Sequence, residues 1–171
     1  MASSSRAITS SDLSSRTSSY NVFINFRGVD TRDNFVYLLY ETLNKNGVYT
    51  FIDSEELWEG EKICPSLLRA IRRSKISIPV FSKRYVKSKY CLVELAEILN
   101  CHISDGQTIL SIFIDVEPRD VRPQTESFEG PFQEHQKNSK STAIVNGWKN
   151  ALKEVGSLKG WSLKGDANIR N

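Results

Sequence analysis

Short apolar runs alternate with longer segments of helical period from Tyr20 onward, and this alternation restricts the chain to a parallel sheet flanked by helices. Residues 22–26 read as a first strand. A helix from about Asp33 follows, with Phe35, Leu38, Leu39, Thr42 and Leu43 on one side and Gly47 as its stop. Residues 48–52 read as a second strand, and Pro65 opens a second helix with Leu67, Leu68 and Ile71 at helical spacing. Residues 76–81 read as a third strand. Because Pro79 has no N–H to donate, that strand is expected at an edge of the sheet or bulged.

The second half repeats the theme. Residues 88–102 carry Leu92, Leu95, Ala96 and Leu99 in helical register, with Ser88 placed to cap the helix. Residues 108–114 form a nearly continuous apolar run suited to one strand buried on both faces. Phe128 and Phe132 suggest a short helix, and Val145, Trp148, Leu152 and Val155 a longer one before Gly156, with residues 161–163 as a last short strand. The order βαβαβαβ with helical additions predicts a flavodoxin-like three-layer α/β sandwich with a central parallel sheet, in which ligands bind beyond the carboxyl ends of the strands.

At 171 residues, 39% hydrophobic and 25% charged, the chain has the apolar supply of one domain. Residues 1–19 hold nine serines and few apolar groups and are expected to be a disordered leader. Their bias resembles a transit peptide in part, without an obvious amphipathic face. The net charge of +3 is spread along the chain, which gives no support to a nucleic-acid partner. No apolar run approaches the roughly 20 residues of a membrane helix, and no membrane association is expected. Cys64, Cys91 and Cys101 are odd in number and lack framework spacing, which fits a reducing compartment, cytoplasmic or also nuclear. Cys91, Cys101, His102 and His135 lack zinc-ligand spacing, and neither a Gly-rich dinucleotide fingerprint nor a Walker loop is present. No metal is expected.

Three places carry candidate chemistry. After the first strand, Arg27-Gly28-Val29-Asp30-Thr31-Arg32 leads into a helix. Its unpaired N–H groups, close backbone approach at Gly28 and two guanidinium forks suit a pyrophosphate; a tight turn with a capping side chain accounts for the same residue types. The polar stretch at 53–63 contains Leu57 and Trp58, and Trp58 either anchors a ligand or partner or folds back on the core. On the 88–102 helix, Tyr90, Glu94 and Glu97 fall opposite the leucine stripe, so Glu94 is expected to point away from the core. A solvated helix face and a catalytic carboxylate both remain open on spacing alone.

The run YNVFINFRGVDTR at 20–32 resembles the opening box of plant Toll/interleukin-1 receptor (TIR) domains from intracellular TIR-NB-LRR disease-resistance proteins. It is joined in order by FIDSEELWEGEKI at 51–63, LLRAIRRSKISIPVFSKRYVKSKYCLVELAEI at 67–98, IFIDVEPRDVRPQT at 112–125 and WKNALKEVGSLKGW at 148–161. The resemblance covers nearly all of residues 20–163, and the serine-rich leader is similar to the family's usual start.

This resemblance implies an NAD⁺ hydrolase, with ADP-ribosyl cyclase activity as a further outcome, that signals in plant immunity on self-association. The alternative it implies is a non-catalytic scaffold docking other TIR domains. The family's catalytic glutamate, in its Cys-Leu-x-Glu-Leu stretch, falls on Glu94, and an aromatic one turn earlier falls on Tyr90. Arg27, Gly28, Asp30, Thr31 and Gly60 would contact the rest of NAD⁺, which is the substrate; no cofactor is implied. Departures are Asn21 for an aspartate, Tyr90 for a frequent tryptophan, Glu59 at a place often basic, and Tyr37-Leu38 where many relatives have Ser-His in a self-association surface. Beyond residue 163, the tail at 164–171 is too short for the family's final amphipathic helix, whose absence is expected to expose apolar area. Such a chain is expected to be a TIR-only product, a truncated isoform or an isolated domain.

Overall fold

The computed structural model describes residues 20–28, 35–52, 65–124, 128–138 and 141–163. Asp30, Thr31, Trp58, Glu59, Gly60, the leader and the tail lie outside the described residues.

Six parallel strands form one sheet: β1 (Tyr20–Phe26), β2 (Thr50–Ile52), β3 (Ser74–Phe81), β4 (Thr108–Ile109), β5 (Ser111–Ile114) and β6 (Gly160–Leu163). Their order is β2-β1-β3-β5-β6, with β4 beside β3. The helices are α1 (Tyr37–Lys45), α2 (Pro65–Arg73), α3 (Lys89–Asp105), α4 (Pro118–Val121), α5 (Glu129–Asn138) and α6 (Thr142–Gly156), and a 3-10 turn, Tyr85–Lys87, precedes α3. This is the three-layer α/β architecture that the alternation implies.

Strand alternation divides the core. Val22, Ile24 and Phe26 of β1 join Val36, Ile78 and Val80 on one face, covered among the described helices by α1. Phe23 faces the opposite side, where α2, α3, α5 and α6 contribute Leu67, Ile71, Leu92, Leu95, Phe132, Trp148 and Leu152 to the larger cluster. Asn25 shares Phe23's parity, so β1 carries a polar side chain into the layer beneath α3.

Several local expectations require correction. Leu38 and Thr42 are exposed, whereas Phe35, Val36, Leu39, Tyr40 and Leu43 form the inward side of the first helical segment. The apolar arc is centred one position away from the one read from spacing. Pro79 does not lie at an edge: β3 is central, and Pro79 pairs in register with Asn25 of β1. On the opposite side, the β3 ladder pairs Ser77 with Ile109 and resumes at Val80 with Ile112. The break at Leu110 that divides residues 108–114 into β4 and β5 thus faces Ile78 and Pro79. A proline fits inside this sheet because the ladder is interrupted beside it.

Helix ends follow local chemistry. Gly47 takes a positive φ of 78° beyond α1, and Gly106 one of 70° after α3. Ser88 Oγ accepts from the Cys91 N–H at 3.3 Å, satisfying one of the free donors in the first turn of α3.

Candidate functional site

The carboxyl end of β1 and the first turns of α3 meet in the layer where ligands of such sheets bind. β1 delivers Asn25, then Arg27 and Gly28 at its end, both half-buried. β3 delivers the chain to the 3-10 turn bearing Tyr85, then to the Ser88 cap and α3 with Tyr90, Cys91 and Glu94.

Glu94 is only 2% exposed, which overturns the expectation that it points away from the core. The reason is the breadth of the buried side of α3. Cys91, Leu92, Glu94, Leu95, Ile98, Leu99 and Cys101 are all buried, covering about half the circumference at 100° per residue. The helix packs against β1, α2 and α6 together. The Leu92, Leu95 and Leu99 stripe is one flank of that arc and Glu94 the other. Glu97, expected beside Glu94, is instead half-buried and accepts from Arg72 Nε at 2.7 Å. Tyr90 is half-buried one turn before Glu94, with Lys89 Nζ 5.6 Å from its ring centroid.

A carboxyl group this deep requires polar partners. Asn25 Nδ2 donates to Glu94 Oε2 at 2.7 Å and approaches the Cys91 carbonyl at 3.3 Å. At the other end of the amide, the Tyr85 hydroxyl donates to Asn25 Oδ1 in a short hydrogen bond, and it also lies 3.2 Å from the Cys91 carbonyl. Cys91 Sγ in turn reaches the Phe26 carbonyl at 3.4 Å. Burial pushes the Tyr85 phenol well above its usual range; Cys91 and Glu94 raise it further, and the Asn25 hydrogen bond offsets part of the effect. Tyr85 is wedged edge-on against Phe81, with ring centroids 5.0 Å apart.

Asn25 and Tyr85 are the members of this site that the sequence motifs passed over. The available signal was a polar residue at an inward-facing position of a buried strand. The arrangement holds one carboxylate oxygen by an amide donor in a medium of low dielectric, where a charge acts strongly on a developing opposite charge.

Among the described residues, no group of three or more His, Cys, Asp or Glu could hold a metal ion, and no helix is long and apolar enough to cross a membrane. His102 Nδ1 lies 2.7 Å from the Gln107 carbonyl and His135 Nε2 lies 2.6 Å from the Val86 carbonyl, so both imidazoles engage backbone.

A family model described as the TIR domain matches residues 19–168. The chain is 43% identical over 166 residues to "Disease resistance protein RPV1" of Vitis rotundifolia, covering 96% of this chain and 12% of that relative. It is 45% identical over 152 residues to "TMV resistance protein N" of Nicotiana glutinosa, covering 88% and 13%. The match therefore spans a small part of each relative. Among solved structures, the TIR domains of the activated Roq1 resistosome, described as directly recognizing the pathogen effector XopQ, superpose with a TM-score of 0.76 at 38% identity, covering 85% of this chain and 88% of that one.

Proposed function

The chain belongs to the TIR domain family found in plant disease-resistance proteins, and from that premise we propose that it is an NAD⁺ nucleosidase of immune signalling in which Glu94 is the catalytic carboxylate. The observation that carries this reading is the buried Glu94 carboxyl group held by Asn25 at the carboxyl end of the sheet.

The reaction breaks the bond between ribose C1′ and the nicotinamide nitrogen. The bonding electron pair stays on nicotinamide, which leaves neutral and needs no proton, while positive charge develops on the ribose as in glycosidic cleavage generally. A desolvated carboxylate stabilises that charge and accepts hydrogen bonds from the ribose hydroxyls. Water then adds at C1′, giving ADP-ribose and releasing one proton; attack by a ring nitrogen of the adenine in place of water would give a cyclic product. Tyr90 supplies an aromatic plane one turn away. Arg27 and Gly28, at the end of β1, are suited to the phosphates, and Asp30, Thr31 and Gly60 complete the proposed contacts.

Ribose can reach a carboxyl group this buried only when its cover rearranges. We therefore tie turnover to self-association with other TIR domains. Tyr37 and Leu38, about half exposed at 50% and 49% on α1, offer an apolar surface for such contact. The burial of Glu94 also favours a second reading, a scaffold that docks TIR domains without turnover.

One experiment separates the two. Protein at high concentration is incubated with NAD⁺ and nicotinamide release is followed beside Glu94→Ala, with circular dichroism confirming that both are folded. Release is expected to rise steeply with protein concentration and to fall by about 100-fold or more in the variant. Folded, crowded protein that releases nothing establishes the scaffold, and an active Glu94→Ala removes Glu94 from the chemistry.

A further inference from the structure

Glu94 is held by a side chain from another element, and that side chain is itself held at its oxygen end by a donor. We infer that Asn25 is a positioning residue for Glu94 and that Tyr85 steadies it, by donating to the oxygen end of the Asn25 amide. This inference rests on the reading of Glu94 as the reacting carboxylate.

An asparagine amide has a donor end with two hydrogens and an acceptor end with none. Two acceptors, Glu94 Oε2 at 2.7 Å and the Cys91 carbonyl at 3.3 Å, lie toward the nitrogen. The oxygen meets the Tyr85 hydroxyl, which can donate. A reversed amide would set Oδ1 against both acceptors and leave its NH₂ facing the phenol. The two acceptors therefore give the network its direction, and the Tyr85 hydroxyl, able to donate or accept, supplies the partner that the amide oxygen then needs. Burial and nearby negative groups keep the phenol protonated beyond the usual tyrosine range, so it remains a donor.

The support beneath this network is rigid. Asn25 lies in β1, flanked by β2 and β3, and pairs with Pro79 in the central strand. Tyr85 is fully buried against Phe81, and Ser88 caps the helix that carries Glu94. Side chains locked by packing and by hydrogen bonds of this kind hold a reacting group in one geometry.

Asparagine and aspartate have the same shape but differ at the decisive atom. In Asn25→Asp, a second carboxyl group stands where an amide now donates at 2.7 Å, and two carboxylates at that separation cannot both ionise. Among the described residues, the network also holds the titratable side chains of Tyr85, from the 3-10 turn, and Cys91, on α3 itself.

Nicotinamide release is measured as kcat/KM against pH for the natural protein, Asn25→Asp and Tyr85→Phe. In parallel, the Glu94 carboxyl carbon is titrated by NMR in ¹³C-glutamate-labelled protein, its signal assigned by its loss in Glu94→Gln. In Asn25→Asp, the acid limb of activity and the Glu94 midpoint are both expected to move upward by about one pH unit or more. Tyr85→Phe is expected to move both by less in the same direction. Activity that falls evenly at every pH, with the Glu94 midpoint unmoved, overturns the positioning role while leaving the nucleosidase reading standing. A natural protein that releases no nicotinamide although the midpoint moves overturns the nucleosidase reading, and the positioning role of Asn25 in turnover falls with it.

Discussion

Replacing Tyr85 with phenylalanine removes one hydroxyl from the polar chain beneath Glu94. The cost can be worked from the partners it leaves behind. The Cys91 carbonyl keeps the Asn25 amide at 3.3 Å, whereas Asn25 Oδ1 loses the donor it meets. One buried acceptor without a partner costs about 1–3 kcal/mol. In a domain of this size each kcal/mol lowers Tm by about 2–4 °C, so the melt should fall by roughly 2–12 °C. Urea denaturation at pH 7 measures the free energy directly. The pH dependence supplies an independent readout. Tyr85 ionises well above the usual range in the folded protein, so its stabilisation is fully present below the unfolded value, about 10, and is lost as pH rises from there through the folded value. Phenylalanine cannot ionise, and the stability difference between the two proteins should therefore narrow above about pH 10. A difference below about 0.5 kcal/mol at pH 7, or one that stays constant to about pH 11, would refute the reasoning.

Two further outcomes follow from packing and burial. A methyl group at Gly160 would stand 2.6 Å from the Ser111 carbonyl oxygen, a backbone atom, and 2.8 Å from the buried Phe113 ring, so Gly160→Ala should destabilise β6 by about 1–3 kcal/mol in urea unfolding. An unchanged midpoint would mean that β6 tolerates displacement. The Cys101 thiol is pushed up to about 11, first by burial and then by Glu97 and Asp105, with Arg72 offsetting part of the rise. Iodoacetamide at about pH 8 should therefore modify Cys101 at least tenfold more slowly than an exposed cysteine, with the difference vanishing in urea; equal rates in the folded protein contradict its burial.

Much of the fold was legible because strand and helix periods differ and the boundaries carry their own chemistry. Pro65 opens α2, Gly47 turns the chain after α1, and Ser88 caps α3 as their residue types suggest. Expectations failed where a neighbouring element decides the outcome. Pro79 reads as an edge or bulged position because its own strand cannot reveal that the adjacent ladder breaks at Leu110. Leu38 reads as inward because a leucine near an apolar stripe is scored by type, whereas the surface met by α1 selects Leu39 and Leu43.

Glu94 was misplaced for a related reason that bears on how buried polar sites are found. Hydrophobic periodicity marks only the part of a buried arc filled by carbon. On α3, packed against β1, α2 and α6, the arc extends past Ile98 to Glu94, and its polar flank has the sequence signature of a solvated face. The same ambiguity affects Asn25, which taken alone is a polar interruption in an apolar strand. Each would be costly to bury singly, and part of that cost is offset where the amide of one meets the carboxyl group of the other. Strand parity sends Asn25 toward the helix layer, and the order of the βα units sets α3 above it. Two residues that each read as an exception thus become a constraint once considered together: a polar side chain on the inward face of a buried strand demands a polar partner from the element packed on that face, and on α3 Glu94 meets that demand.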